Sequence, residues 1–226
     1  MRNSGIEVLW QGRNFIRLLE GLWTSVSIAL FALAISIFFG LFVGIAMTSK
    51  KRFLRFLTRA YLEFVRFMPQ LVLLFVVYFS LATHTGVNLG GFTTAVIVFS
   101  VWGSAEMGDL VRSAVQSIPA HQYASGFALG MTKAQVNLNV ILPQTVRRLL
   151  PLTINLANRM IMTTSLVVLI GVTEVLKVGQ QIIDANRFQY PTGTLWIYGV
   201  IFFMYFIVCW PLSIVARRLE KRWSHD

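Results

Sequence analysis

The sequence predicts an all-α integral membrane protein with five transmembrane helices and one structured cytoplasmic loop. Of its 226 residues 56% are hydrophobic and only 13% are charged, with a mean hydropathy of +0.67, whereas a soluble domain carries about 25% charged residues. Uncharged runs long enough to cross a hydrocarbon layer of about 30 Å recur along the chain. The net charge of +11 gathers in clusters beside those runs. That is how membrane topology is encoded, and it differs from the spread basic face that nucleic acid requires.

The first span is expected at 22–48, within an uncharged run from Gly21 to Ser49. That run is longer than a signal-peptide core of roughly 7–15 residues, so it reads as retained. Gly40 and Gly44 form a small-xxx-small pair suited to close helix contact. Lys50, Lys51, Arg52, Arg55 and Arg59 follow at once. From Phe67 to Ala105 no Asp, Glu, Lys or Arg occurs, too long a stretch for one helix. The polar break Thr83 to Gly91 divides it into spans at 60–81 and 91–115. Their charged ends, Glu63/Arg66 and Asp109/Arg112, then fall on one side of the membrane. Each pair is one turn apart and reads as an ion pair near a gate. A loop at 117–148 precedes spans at 150–172 and 194–216, and Arg217, Arg218, Lys221 and Arg222 follow. The whole of 1–226 reads as a single transmembrane domain.

Five spans put the chain's ends on opposite sides. The excess of cations beside spans places the N-terminus outside and the C-terminus in the cytoplasm, with Arg2, Arg13, Arg17, Lys177 and Arg187 outside. The loop 117–148 is then cytoplasmic. On the outer side, Val175, Leu176, Val178, Ile182 and Ile183 predict a short interfacial or re-entrant helix. Cys209 is alone in an apolar run, and His84, His121 and His225 have no ligand spacing, so neither a disulfide framework nor a metal site is expected. No G-x-x-x-x-G-K-[ST] motif occurs, which excludes a P-loop ATPase.

Within the loop, Gln122 to Pro143 is patterned enough to fold. Tyr123, Phe127 and Met131 recur every fourth residue and predict one apolar stripe on a short helix. Gly130 can take the left-handed conformation that ends such a helix, which would put Met131 just past its end. Thr132 and Gln135 read as a capping box starting a second helix, and Pro143 stops that helix or begins the next.

The spacing also resembles the cytoplasmic signature of permease subunits in bacterial ATP-binding-cassette importers: Glu-Ala-Ala, three residues, Gly, nine residues, Ile-x-Leu-Pro. Here it is met by Ala124-Ser125-Gly126, Gly130 and Val140-Ile141-Leu142-Pro143, with Ala124 where the signature has Glu. The blocks Glu63 to Phe79, Asp109 to Pro119, Leu142 to Asn155 and Thr164 to Glu174 are similar to permeases of the polar amino-acid uptake family. The resemblance implies that Gln122, Tyr123, Ala124, Phe127, Gly130, Met131, Thr132 and Lys133 dock on a cytoplasmic ATPase, with a side chain at Gly130 obstructing the turn. It implies two such ATPase subunits, which carry ATP and Mg, a second permease subunit and an extracytoplasmic binding protein. No cofactor or catalytic residue is expected in this chain, and the location is the bacterial inner membrane. The cargo implied is an amino acid or close relative.

Three departures from that family bear on the cargo. Met162-Thr163 stand where relatives have Lys-Asp before Thr164-Ser165-Leu166, Arg159 lies one turn earlier, and Glu106 replaces an aromatic residue. These predict a rearranged polar path. In it Arg159 would take a carboxylate through its planar fork and Glu106 an ammonium group; an Arg159–Glu106 salt bridge between spans is the equal alternative. Asn155, Asn158, Thr163, Thr164 and Ser165 add neutral hydrogen-bonding groups whose first expected role is helix–helix bonding. Two other classes stay open at this point: an ATPase-independent channel or secondary transporter, and a non-transporting membrane scaffold for an ATPase.

Overall fold

The computed structural model describes residues 5–80, 83, 84, 86 and 89–223. Arg2, Leu81, Thr85, Val87, Asn88 and His225, which enter the expectations above, lie outside them. A short 3₁₀ turn, Ile6–Leu9, precedes nine α-helices among the described residues: α1 Asn14–Thr48, α2 Arg52–Phe67, α3 Gln70–Phe75, α4 Gly91–Gln116, α5 Ala120–Ala128, α6 Lys133–Val136, α7 Leu142–Thr163, α8 Val175–Asn186 and α9 Gly193–Trp223. Among the described residues four helical stretches are long and apolar enough to cross a membrane, and a fifth is added if α2 and the helical stretch from Gln70 to Ser80 count as one broken span.

Helix α1 shows why these sequences suit lipid. Most of its buried positions between Gly21 and Gly44 are small (Gly21, Ser25, Ala29, Ala32, Ser36, Gly40 and Gly44, with Ile28 the large one), while Phe31, Phe38, Phe39 and Phe42 are exposed. Large apolar groups outward and small groups inward is the arrangement of a helix that packs on helices and faces acyl chains. The helix starts at Asn14, well before the predicted residue 22, because Phe15, Leu18 and Leu22 continue its packing against a protein core.

Two compact units divide the chain: Met1–Leu33 with Pro69–Phe99 and Asn158–Pro211, and Ala34–Met68 with Ser100–Ala157 and Leu212–Asp226. In the first unit Val8, Leu18, Val175, Val178, Ile182, Ile197 and Ile201 form the core. The predicted outer helix is therefore α8. One face of it is buried in this core, and Gly21 lets α1 approach so closely that a Cβ there would lie 2.8 Å from the Val175 Cα. Arg17 Nη2 donates to Gln181 Oε1 at 2.7 Å, fixing the start of α1 to the same helix.

In the second unit α1 and α4 meet at a glycine contact. A Cβ on Gly40 would lie 2.5 Å from that of Met107, one on Gly44 would lie 2.5 Å from that of Val111, and one on Gly108 would lie 2.6 Å from Val43 Cγ1. The small-xxx-small pair thus marks a real close approach.

Two predicted boundaries need correction. The span expected at 60–81 is interrupted at Met68 and Pro69, both extended, with ψ of 124° and 127°. Proline disfavours helical backbone at the residue before it, so α2 ends at Phe67. At the other site, α6 runs through a π-helical turn, Asn137–Ile141, directly into α7. Lys133–Ile170 is one continuous helical stretch, so the helix that carries the fourth span begins within the predicted loop. Pro143 falls in the first turn of α7. It has no N–H for the Asn139 carbonyl and its ring crowds that carbonyl; the wider π turn upstream accommodates both.

Candidate functional site

The loop between α4 and α7 folds as a closed turn in the second unit. Pro119 precedes α5, and Arg148 Nη1 donates to the Ser117 carbonyl at 2.6 Å and to Ser117 Oγ at 2.8 Å, holding the entry. Helix α5 is closed by Gly130, two residues past its last residue Ala128, with φ +78°. The Gly130 N–H donates to the Phe127 carbonyl at 3.0 Å and the Met131 N–H to the Gly126 carbonyl at 3.1 Å. Those two bonds with a left-handed glycine make a Schellman ending. Thr132 then caps α6: the Gln135 N–H donates to Thr132 Oγ1 at 3.3 Å and the Thr132 N–H to Gln135 Oε1 at 2.8 Å.

Two glycines do different work here. A side chain on Gly130 would meet nothing within 4 Å, so the expectation that it obstructs the turn does not hold; only its left-handed backbone demands glycine. Gly126 is buried, and a Cβ there would lie 2.8 Å from Val136 Cγ2, so this is where α5 and α6 touch.

The predicted apolar stripe divides. Tyr123 and Met131 pack against the cluster of Ile118, Val136 and Ile141. Phe127 remains exposed, and beside it Leu129, which the fourfold spacing passed over, is 81% exposed. Ala124, Thr132 and Lys133 are exposed as well, while Gln122 is half-buried and accepts from Gln144 Nε2 at 3.4 Å.

A second cluster joins the end of α2 to α4 in the same unit. Arg66 Nε donates to Glu106 Oε1 at 2.8 Å and its Nη2 to Asp109 Oδ2 at 2.7 Å. Arg112 donates through Nε at 2.9 Å and Nη2 at 2.6 Å to Asp109 Oδ1, and through Nη1 to Gln116 Oε1 at 2.7 Å. The expected Asp109–Arg112 pair is present. The expected Glu63–Arg66 pair is not: Glu63 accepts from Arg59 at 2.9 Å, and Arg66 reaches across to α4. Glu106, only 7% exposed, therefore has a protein cation as its partner, not an open place for an ammonium group. These charges border a cavity of about 710 Å³, walled by Arg52, Arg55, Arg59, Arg66 and Arg112 with Glu63 and Asp109.

The polar residues of the fourth span fall in both units, Asn155 in the second and Arg159 to Ser165 in the first. Arg159 and Asn155 are exposed, Thr163 and Ser165 half-buried, and Thr164 buried. The three hydroxyls donate to carbonyls of their own helix: Thr163 to Arg159 at 2.7 Å, Thr164 to Ile161 at 2.7 Å and Ser165 to Met162 at 3.0 Å. From Thr164 to Ile170 the helix tightens to 3₁₀ form, and left-handed Gly171 ends it.

Sequence reading passed over Glu174. It is fully buried and caps α8: its carboxylate accepts the Leu176 and Lys177 N–H groups, both at 2.9 Å, and the Ser25 hydroxyl at 3.3 Å. Burial pushes its pKa above the ordinary carboxylate value despite those bonds. An acidic residue directly before an apolar helix was the available signal.

Long lipid-facing helices, a glycine-packed helix pair and a capped turn between spans define a polytopic α-helical membrane protein. The chain belongs to the family described as binding-protein-dependent transport system inner membrane component, whose model matches residues 36–225. It is 32% identical over 209 residues to the glutamine transport system permease protein GlnP of Escherichia coli (strain K12), covering 91% of this chain and 92% of that one. It is 30% identical over 212 residues to the probable amino-acid ABC transporter permease protein YckA of Bacillus subtilis (strain 168), covering 94% and 91%. A solved structure described as an amino acid ABC transporter with histidines superposes with a TM-score of 0.82 at 25% identity, over 92% of this chain and 94% of that one. The MetNI methionine ABC transporter, at 16% identity and a TM-score of 0.72 over 92% and 97%, shares the fold.

Proposed function

We propose that the chain is the permease subunit of an ATP-driven importer for amino acids or close relatives. ATP and Mg act in two separate cytoplasmic ATPase subunits; a second permease subunit, identical or homologous, and an extracytoplasmic binding protein complete the assembly. The N-terminus is outside, the C-terminus is cytoplasmic, and the turn from Gln122 to Lys133 is the ATPase docking element.

The observation that carries this reading is the closed turn. Its Schellman ending and capping box hold Phe127 and Leu129 outward on a fixed support, the form that a groove on a partner can grip. Closure of two ATPases would draw two such turns together and tip the spans between inward- and outward-facing arrangements. Ala124 keeps the turn but lacks the signature's acid, so this subunit contacts its ATPase without that charge. The Arg66–Glu106–Asp109–Arg112 network is the candidate gate. Arg159, with Asn155, Thr163, Thr164 and Ser165, borders the substrate path, and the carboxylate of the cargo meets Arg159.

The test is uptake by proteoliposomes holding the chain with its co-expressed ATPase and binding protein, supplied with radiolabelled amino acids. Uptake should require internal ATP, and Phe127→Asp/Leu129→Asp should abolish both uptake and ATPase co-purification. ATP-independent uptake that survives the double substitution would instead identify a self-contained transporter. Arg159→Met should raise KM for the transported amino acid; unchanged affinity and substrate range would remove Arg159 from the path.

A further inference from the structure

We infer that the arginine-walled cavity beside α2 is a binding site for the phosphate headgroup of an anionic phospholipid. Three observations converge on it. The first is unspent charge. Arg59, Arg66 and Arg112 are committed to Glu63, Glu106 and Asp109. Arg52 and Arg55 also line the cavity, and among the described residues neither guanidinium has a hydrogen-bond or ion-pair partner. A guanidinium fork matches phosphate oxygens in geometry as well as charge.

The second is the start of α2. It has no side-chain cap and no acidic residue in its first turn. The positive end of a helix dipole there coincides with Lys51, Arg52 and Arg55, an arrangement that repels itself until an anion arrives. The third observation points to lipid as the source of that anion. Phe56 lines the cavity yet is 71% exposed, and Phe53, Phe64 and Phe67 extend the same helix face at 78%, 57% and 83%. A helix with arginines along one side and an uncovered aromatic stripe along the other lies in the headgroup layer, its apolar side among acyl chains. A soluble phosphate would satisfy the arginines and leave the phenylalanines in water. The cavity, about 710 Å³, takes a phosphodiester and its alcohol, given about 30 Å³ for a single water.

Native mass spectrometry of the full-length chain in detergent, titrated with phosphatidylglycerol or phosphatidylcholine, tests this. Phosphatidylglycerol should bind preferentially. Arg52→Gln/Arg55→Gln should weaken it about 25-fold, at about fivefold per basic residue, and Arg52→Lys/Arg55→Lys should recover most of the loss. Arg217→Gln/Arg218→Gln, which removes the same charge elsewhere, should change binding by less than about twofold. Both guanidinia are exposed and partnerless, so the melting temperature should not move. Phe56→Ser should weaken phosphatidylglycerol and leave inorganic phosphate unaffected. Equal binding of the two lipids, or equal loss in the two glutamine pairs, overturns the site. Displacement of phosphatidylglycerol by submillimolar inorganic phosphate assigns the cavity to a soluble anion and overturns the lipid.

Discussion

Replacing Arg66 by Met should destabilise the protein chiefly through what it leaves behind. Glu106 is 7% exposed, and removal of Arg66 takes away its ion-pair contact at 2.8 Å, though not every interaction Glu106 makes; Asp109 keeps Arg112. Breaking a buried ion pair by deleting one member costs about 3–5 kcal/mol. The Arg66 side chain is 45% exposed, so water replaces part of the interaction, and about 2 kcal/mol is expected. For a chain of this length that corresponds to a melting-temperature drop of about 4–8 °C. Glu106→Gln in the same background removes the charge that Arg66 had balanced and should return stability to within about 1 kcal/mol of the parent. Thermal unfolding of the four proteins in one detergent, read as a double-mutant cycle, gives both numbers. If Arg66→Met melts within 1 °C of the parent (about 0.3 kcal/mol), or Glu106→Gln adds further loss, then the pair is not what holds α2 to α4.

The turn offers a paired comparison. Gly130→Ala should cost about 1–2 kcal/mol through its left-handed backbone, and no second substitution should rescue it, because nothing lies within 4 Å. Gly126→Ala should be rescued by Val136→Ala, which removes the atom 2.8 Å away; thermal melts of the two double variants separate strain from collision. Gly44→Leu should abolish accumulation of folded protein in the membrane, since its Cβ alone would lie 2.5 Å from Val111 Cβ, while Gly90→Leu, with nothing within 4 Å, should not; fluorescence-detected size exclusion reads both. The Glu174 pKa is raised in the fold by burial. Its contribution to stability is therefore complete below the unfolded value of about 4.3 and falls as pH rises through the folded one. Glu174→Gln should flatten that slope in melts taken upward in pH from the unfolded value.

Much of this architecture was legible because the bilayer imposes it residue by residue. Charge-free runs and flanking cations located the helices from local composition alone. Gly130 and the Thr132–Gln135 box were equally readable, since the bonds they make join residues three to five apart. The break at Met68–Pro69 was readable as well; Pro69 marks it, but the uncharged run after Phe67 drew attention to hydropathy instead of backbone. The Arg66–Glu106 bond was not legible. It joins residues forty positions apart, and pairing Arg66 with its sequence neighbour Glu63 overlooked Arg59, which sits one turn before Glu63. Tyr123 and Met131 show the limit of periodicity: the helix ends at Ala128, and the left-handed Gly130, not the fourfold spacing, is what puts Met131 beyond a reversal of the chain.

The hydrogen bonds that close the α5–α6 turn all lie between Gly126 and Gln135. Such a piece owes its outline to its immediate neighbours in sequence and keeps it while distant helices rearrange. If the turn is the ATPase docking element proposed above, a displacement applied there would be handed on as a unit, as through the end fitting of a cable. On that reading compliance would have to lie elsewhere, and the π turn at Asn137–Ile141 is the first departure from regular helix along the line.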